Sequence, residues 1–147
     1  MTLSSRNAAW FDAPPEAIWR YVGDARTYPD WVVGAAESRK VDPEYPEPGA
    51  TLHHTQGLPR IGLKDTSTVV TAEPPRDLEL EVRVRPFTVN GVRFELRSDG
   101  NGRTHVTMRE WPKSGLVPRV FGPLVVPALQ LRNAETLRRL RNLSESS

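Results

Sequence analysis

Two polar residues on neighbouring strand-like segments carry the first chemical signal in this chain. His54 lies in a segment where Leu52, His54, Gln56 and Leu58 share one face; Asp65 lies in the next, with Ile61, Leu63, Ser67 and Val69. A turn centred on Pro59-Arg60 would set His54 directly across from Asp65. A carboxylate opposite an imidazole raises the imidazole's pKa and fixes its orientation, which suits a general acid or base. The same pair also serves as a plain hydrogen bond between two half-buried polar groups. A slip of one residue would bring His53 in place of His54 and remove the arrangement. Glu110 is the third polar candidate, because it continues the inward phase of Val106 and Met108. There it could act as an acid, anchor a ligand, or pair with an arginine. Arg132-Asn133, within the last helical segment, could set a polar group against the sheet or cap a neighbouring loop.

Other chemistry finds no support in the residues. With no Cys there is neither a disulfide framework nor a thiolate metal site. Adjacent His53 and His54 point to opposite strand faces, which argues against metal ligation, and the chain calls for no cofactor. No nucleophile elbow, phosphate loop or dinucleotide fingerprint occurs. Net charge is +2, and the arginines at 132, 138, 139 and 141 accompany no groove-reading or stacking motif, so a nucleic-acid partner is not expected. No apolar run approaches the ~20 residues of a membrane helix. The N-terminus lacks a signal peptide's apolar core, and the expected location is cytoplasmic.

The elements that must position these groups follow from periodicity. At 147 residues the chain is read as one domain, ordered from about 6 to 143, with Ser144 to Ser147 as a frayed tail. Residues 6–12 predict a strand with Asn7, Ala9 and Phe11 on one side. Asp12-Ala-Pro-Pro-Glu predicts a helix start with Asp12 as cap, and Ile18, Trp19 and Val22 as the apolar face before Gly23. Asp24 to Tyr28 predicts a second helical turn, stopped at Pro29. Six strands follow, at 35–42, 50–58, 61–72, 78–85, 92–97 and 104–111. In Leu-Glu-Leu-Glu-Val-Arg-Val-Arg, residues 78–85, the alternation is unbroken, with Leu80 and Val82 on the inner face.

Register is also predictable in part. Phe94 opposite Met108 and Leu96 opposite Val106 leave Asp99-Gly-Asn-Gly-Arg as the turn. The preceding hairpin conflicts: a turn at Asn90-Gly91 would pair Val84 with Arg97, and a bulge at Pro86 is the favoured remedy over a longer turn. Pro118, Pro123 and Pro127 should not share one regular helix, so the last helix is placed at about 127–143. Its predicted apolar stripe is Ala128, Leu131, Ala134, Leu137 and Leu140.

Strand, two short helices, six antiparallel strands and a long helix is the order of the helix-grip fold. Ala13-Pro-Pro-Glu-Ala-Ile-Trp, Asp24 and Tyr28-Pro-Asp-Trp31 resemble the opening of the START-like (SRPBCC) superfamily. The closest likeness is to its bacterial polyketide cyclase/dehydrase and lipid-transport group. Glu73-Pro-Pro-Arg-Asp-Leu, Gly102-Arg-Thr-His-Val-Thr and Leu131 to Leu140 are similar to that group's later elements. The resemblance implies an α+β fold with a curved antiparallel sheet gripping the C-terminal helix around an apolar cavity. It also implies a hydrophobic small-molecule ligand, such as a lipid or polyketide, and for some members a cyclising or dehydrating activity.

Residues expected to line that cavity are Trp31, Leu52, Leu80, Val82, Phe94, Leu96, Met108, Phe121, Leu124, Ala128 and Leu131. Two alternatives accompany plain ligand binding. One is a cyclase or dehydratase using His54, Asp65 and Glu110 as acid/base groups. The other is an interaction module that presents a sheet or helix face to a protein partner. Oligomeric state is not legible in the sequence.

Overall fold

The computed structural model describes residues 4–56, 63–84 and 88–146; the side chains of 36–39, 54–56, 63–65 and 115–123 lie outside the description. Seven strands form one antiparallel sheet: β1 Ser5–Phe11, β2 Ala35–Val41, β3 Thr51–Gln56, β4 Leu63–Glu73, β5 Asp77–Val84, β6 Thr88–Ser98 and β7 Thr104–Gly115. Their spatial order is β1-β7-β6-β5-β4-β3-β2, so the meander is continuous and β1 closes onto its last strand. Helices α1 Pro15–Val22 and α2 Tyr28–Trp31, joined by a 3-10 turn at Ala25–Thr27, follow β1; α3 Leu116–Ser146 ends the chain. This is the helix-grip arrangement, a curved sheet holding a long helix.

Period-two patterning places one apolar face inward across the sheet. Met108 faces Phe94 and Phe94 faces Leu78; the next row runs Glu110, Val92, Leu80, Val69. The following rows run Asn90, Val82, Ser67, Leu52 and then Thr88, Val84, Asp65, His54. Leu52, Leu78, Leu96, Val106 and Met108 are buried, while Val82 is half-buried against the same core. Each buried Leu or Val contributes roughly 1.5–3 kcal/mol on leaving water, so this face supplies much of the driving force for folding. The outer face is a charge lattice in which Arg93 contacts Glu79 at 3.3 Å and Arg97 contacts Asp77 at 2.9 Å. On that outer face Trp111 lies directly over Gly91, where an added Cβ would collide with the indole.

The inner end is sealed by the short helices. Trp31 is fully buried and meets Phe94 and Tyr28 edge-on, with ring centroids 5.7 Å and 5.3 Å away. Its indole N–H donates to Thr27 Oγ1 at 3.0 Å, so the largest side chain of the core carries no unpaired donor. Asp24 caps the 3-10 turn by accepting the Arg26 amide at 3.1 Å.

Several expectations change. Asp12 does not cap α1: Pro14 is the N-cap residue, and Asp12 instead pairs with Arg103 at 2.9 Å. Pro29 lies within the first turn of α2 rather than stopping a helix, because its missing N–H is one that no first-turn residue uses. Asn90 and Gly91 are strand residues, with Val82 opposite Asn90 and Val84 opposite Thr88. Leu78, Leu80 and Val82 therefore keep their inward phase without a bulge between β5 and β6. The irregularity falls instead between β6 and β7, at Val89/Asn90. Pro86 and the Pro59-Arg60 turn lie outside the described residues.

The C-terminal helix departs most. It is one 31-residue element from Leu116 to Ser146, roughly 46 Å at 1.5 Å per residue, and all three prolines lie inside it. Pro118 sits in the first turn, which needs no donor; Pro123 and Pro127 each remove a backbone bond. Its buried line is Leu129, Asn133, Thr136, Leu137, Leu140 and Ser144. Ala128 and Ala134 are exposed, as are Leu124 and Leu131, at 67% and 77%. The predicted stripe is therefore correct at Leu137 and Leu140 and rotated outward at Ala128, Leu131 and Ala134. Ser144, buried with its hydroxyl on the Leu140 carbonyl at 2.7 Å, belongs to the helix rather than to a frayed tail. Among the described residues, no helix is long and apolar enough to cross a membrane.

Candidate functional site

The inner face of the sheet changes character along its length. Its deep end, around Trp31, Phe94, Leu96, Val106 and Met108, is apolar and buried. Two rows further, where α3 crosses β1 and β7, the inward residues become Ser5, Asn90 and Glu110. Glu110 is only 2% exposed. Arg132 Nη2 and Asn133 Nδ2 both donate to its Oε1, the latter at 3.2 Å, while Asn90 Nδ2 donates to Oε2 at 2.8 Å. Asn133 Nδ2 also reaches Ser5 Oγ at 3.4 Å, and Asn7 Nδ2 donates to the Gln130 carbonyl at 3.0 Å. A buried carboxylate left alone would be strongly unfavourable; with three donors and a counter-charge it becomes a bolt between helix and sheet. Of the roles open to Glu110, pairing with an arginine is the one present in this fold. Arg132-Asn133, whose ordinary reading was a loop cap, is the partner.

His54 and Asp65 stand directly opposite each other in the β3–β4 register, the pairing expected from the sequence. Their side chains lie outside the described residues. Glu110 does not join them: Asp65 is three strands and four residues away along the sheet, about 20 Å at standard strand spacings. His53, on the opposite face, has Nδ1 3.5 Å from Thr66 Oγ1.

The expected lining residues divide likewise. Trp31, Leu52, Leu80, Phe94, Leu96 and Met108 are buried on the inner face, with Val82 half-buried at the row of Asn90. Leu124, Ala128 and Leu131 face outward and do not line the interior. The Phe121 side chain lies outside the described residues.

A pair of phenols, Tyr28 buried and Tyr45 half-buried, escaped the sequence reading. Tyr28 Oη donates to the Val22 carbonyl at 2.6 Å and contacts Tyr45 Oη at 2.7 Å. Burial pushes both phenols above the ordinary tyrosine range, and the nearby Asp24 carboxylate pushes in the same direction. Nothing local to Tyr45 foretold this, since 17 residues separate it from Tyr28. The only signal was the run of Pro and Gly at 43–49, which folds back toward the short helices.

With the fold and this polar seam in hand, comparison with known proteins gives a consistent result. The sequence profile described as polyketide cyclase / dehydrase and lipid transport matches residues 4–145. The chain belongs to that family. Among solved structures, the family fold recurs in an aromatase/cyclase, Zhui from Streptomyces sp. R1128, at 14% identity and TM-score 0.72, covering 97% of this chain and 93% of that one. Protein MLL2253 from Mesorhizobium loti is similar at 18% identity and TM-score 0.72, covering 98% of each chain. Protein NE0264 from Nitrosomonas europaea is similar at 15% identity and TM-score 0.72, covering 97% and 94%. At these identities the likeness establishes the shared fold. No functionally curated protein matches the sequence.

Proposed function

We propose that this family member binds a hydrophobic small molecule, a lipid or polyketide in class, between the inner face of the sheet and α3. The observation that carries this reading is the gradient along that face, from Trp31, Phe94 and Met108 to Asn90, Glu110 and Arg132. An amphipathic molecule would set its apolar body against Leu52, Leu80 and Val82 and its polar end toward the Asn90 side. Native mass spectrometry of freshly expressed protein tests this directly. The expected result is a retained small molecule in the wild type that is absent from Val82→Arg, which places a charge on the inner face beside Leu52 and Leu80. A wild type that carries nothing and binds no member of a fatty-acid and anthraquinone panel would refute the reading.

A second reading, cyclase or dehydratase activity, draws support from the His54–Asp65 register and from the aromatase/cyclase name of one structural neighbour. In it Asp65 orients His54, and His54 moves the proton during ring closure or loss of water. Turnover of a cyclisable polyketide by His54→Ala and Asp65→Ala decides the matter. Rates equal to wild type in both variants would end this reading and leave the binding one intact.

A further inference from the structure

A concavity of about 530 Å³ lies where the 3-10 turn meets the β2–β3 connection, and its wall includes Asp24, Arg26, Val41, Asp42, Pro43 and Tyr45. Its hydrogen-bonding capacity is lopsided. The amides of Gly23, Asp24, Asp42 and Tyr45 all donate to protein carbonyls, and that of Arg26 to Asp24 Oδ1. Because Tyr28 Oη donates to the Val22 carbonyl, the proton in its 2.7 Å contact with Tyr45 belongs to Tyr45. The Tyr45 oxygen is thereby left as an acceptor, in a wall to which Asp24 and Asp42 also contribute. The one cation in the wall, Arg26, is 81% exposed at its side chain and holds both Asp24 oxygens from the rim, at 3.0 Å each. Formal charge over the described wall is thus −1, with an aromatic ring and the apolar Val41 and Pro43 beside it.

We propose that this pocket binds a small organic ammonium ion, at a site separate from the inner face of the sheet. An ammonium head brings three donors and no acceptor, the complement of a wall made of carboxylates and a phenolic oxygen. Its alkyl part would lie on Val41 and Pro43, and its charge near the Tyr45 ring gains further attraction. Tyr45 stays a neutral phenol here, because burial and the Asp24 charge both disfavour its ionised form. The proposal is independent of the hydrophobic-ligand reading.

The test is a titration of the isotope-labelled protein with putrescine dihydrochloride, followed by amide chemical shifts, with sodium chloride and 1,4-butanediol as controls. Saturable shifts at Asp24, Asp42 and Tyr45 are expected, with a midpoint near or below about 1 mM. Asp42→Asn keeps an acceptor for the Thr51 amide, now bonded at 2.9 Å, and should weaken binding about fivefold. Arg26→Gln removes the cation that competes for Asp24 and should tighten binding severalfold. Shifts reproduced by sodium chloride or butanediol would overturn the proposal. So would an Arg26→Gln variant that binds no better than wild type.

Discussion

The two ends of the sheet's inner face are built on different physics. At the deep end, Trp31, Phe94, Leu96 and Val106 are held by non-directional apolar burial, which tolerates small adjustments among neighbours. At the α3 crossing, Glu110 is held by Arg132, Asn133 and Asn90, and losing one partner exposes the others to an unmet desolvation cost. The first end sets how stable the fold is. The second sets where α3 lies on the sheet. That division breaks down into measurable differences between substitutions.

Trp31→Ala should be the most damaging, with a loss of about 3–5 kcal/mol in urea-induced unfolding, because it removes a fully buried indole that contacts Phe94 and Tyr28. Apolar refilling should help: Trp31→Phe ought to recover a substantial part of that loss. If Trp31→Ala unfolds with wild-type stability, the deep end is not the core it is taken to be.

Arg132→Met comes next. It leaves the Glu110 carboxylate buried without its counter-charge, and about 2–4 kcal/mol is expected, below the full figure for a buried pair because the arginine side chain is a third exposed. The behaviour of the double variant sharpens the contrast with Trp31. Adding Glu110→Gln removes the stranded charge, so Arg132→Met/Glu110→Gln should be more stable than Arg132→Met alone. A double variant that is merely the sum of two losses would mean that the pair does not act as a unit.

The same difference explains what the sequence made legible. Strand faces followed from alternation, so Phe94 opposite Met108 and His54 opposite Asp65 could be read before any coordinates, and both hold. The β5–β6 hairpin misled because Asn90-Gly91 resembles a tight turn. In the fold Asn90 is a partner of Glu110, and Gly91 has no side chain because Trp111 occupies the space. Helix α3 misled for a related reason. Its buried line carries Asn133, Thr136 and Ser144, polar residues matched to polar partners, while two of its leucines face outward. Hydropathy finds apolar stripes; it cannot find a polar seam whose partners lie more than twenty residues away, as Glu110 does from Arg132 and Asn133. Of the proposed acid/base set, the His54–Asp65 pairing and the inward phase of Glu110 were visible, but the identity of the arginine that meets Glu110 was not, because register is a local property and the meeting of β7 with α3 is not.

The smallest effect is expected on the outer side of α3. Leu131 is 77% exposed and one residue from Arg132, so the two test neighbouring positions of a single turn, one turned to solvent and one to the sheet. Leu131→Gln exchanges residues of similar helix propensity and uncovers no cavity, which predicts a stability change within about 0.5 kcal/mol. Its neighbour in sequence differs by several times that amount solely because its side chain points at Glu110. The comparison also reports on the unoccupied leucine face. If Leu131→Gln instead loses more than about 1 kcal/mol, and the loss grows with protein concentration, the Leu124–Leu131 face is covered by a second copy of the chain in solution. A loss independent of concentration would show that Leu131 is buried within the monomer, and the rotation assigned to α3 would then be wrong.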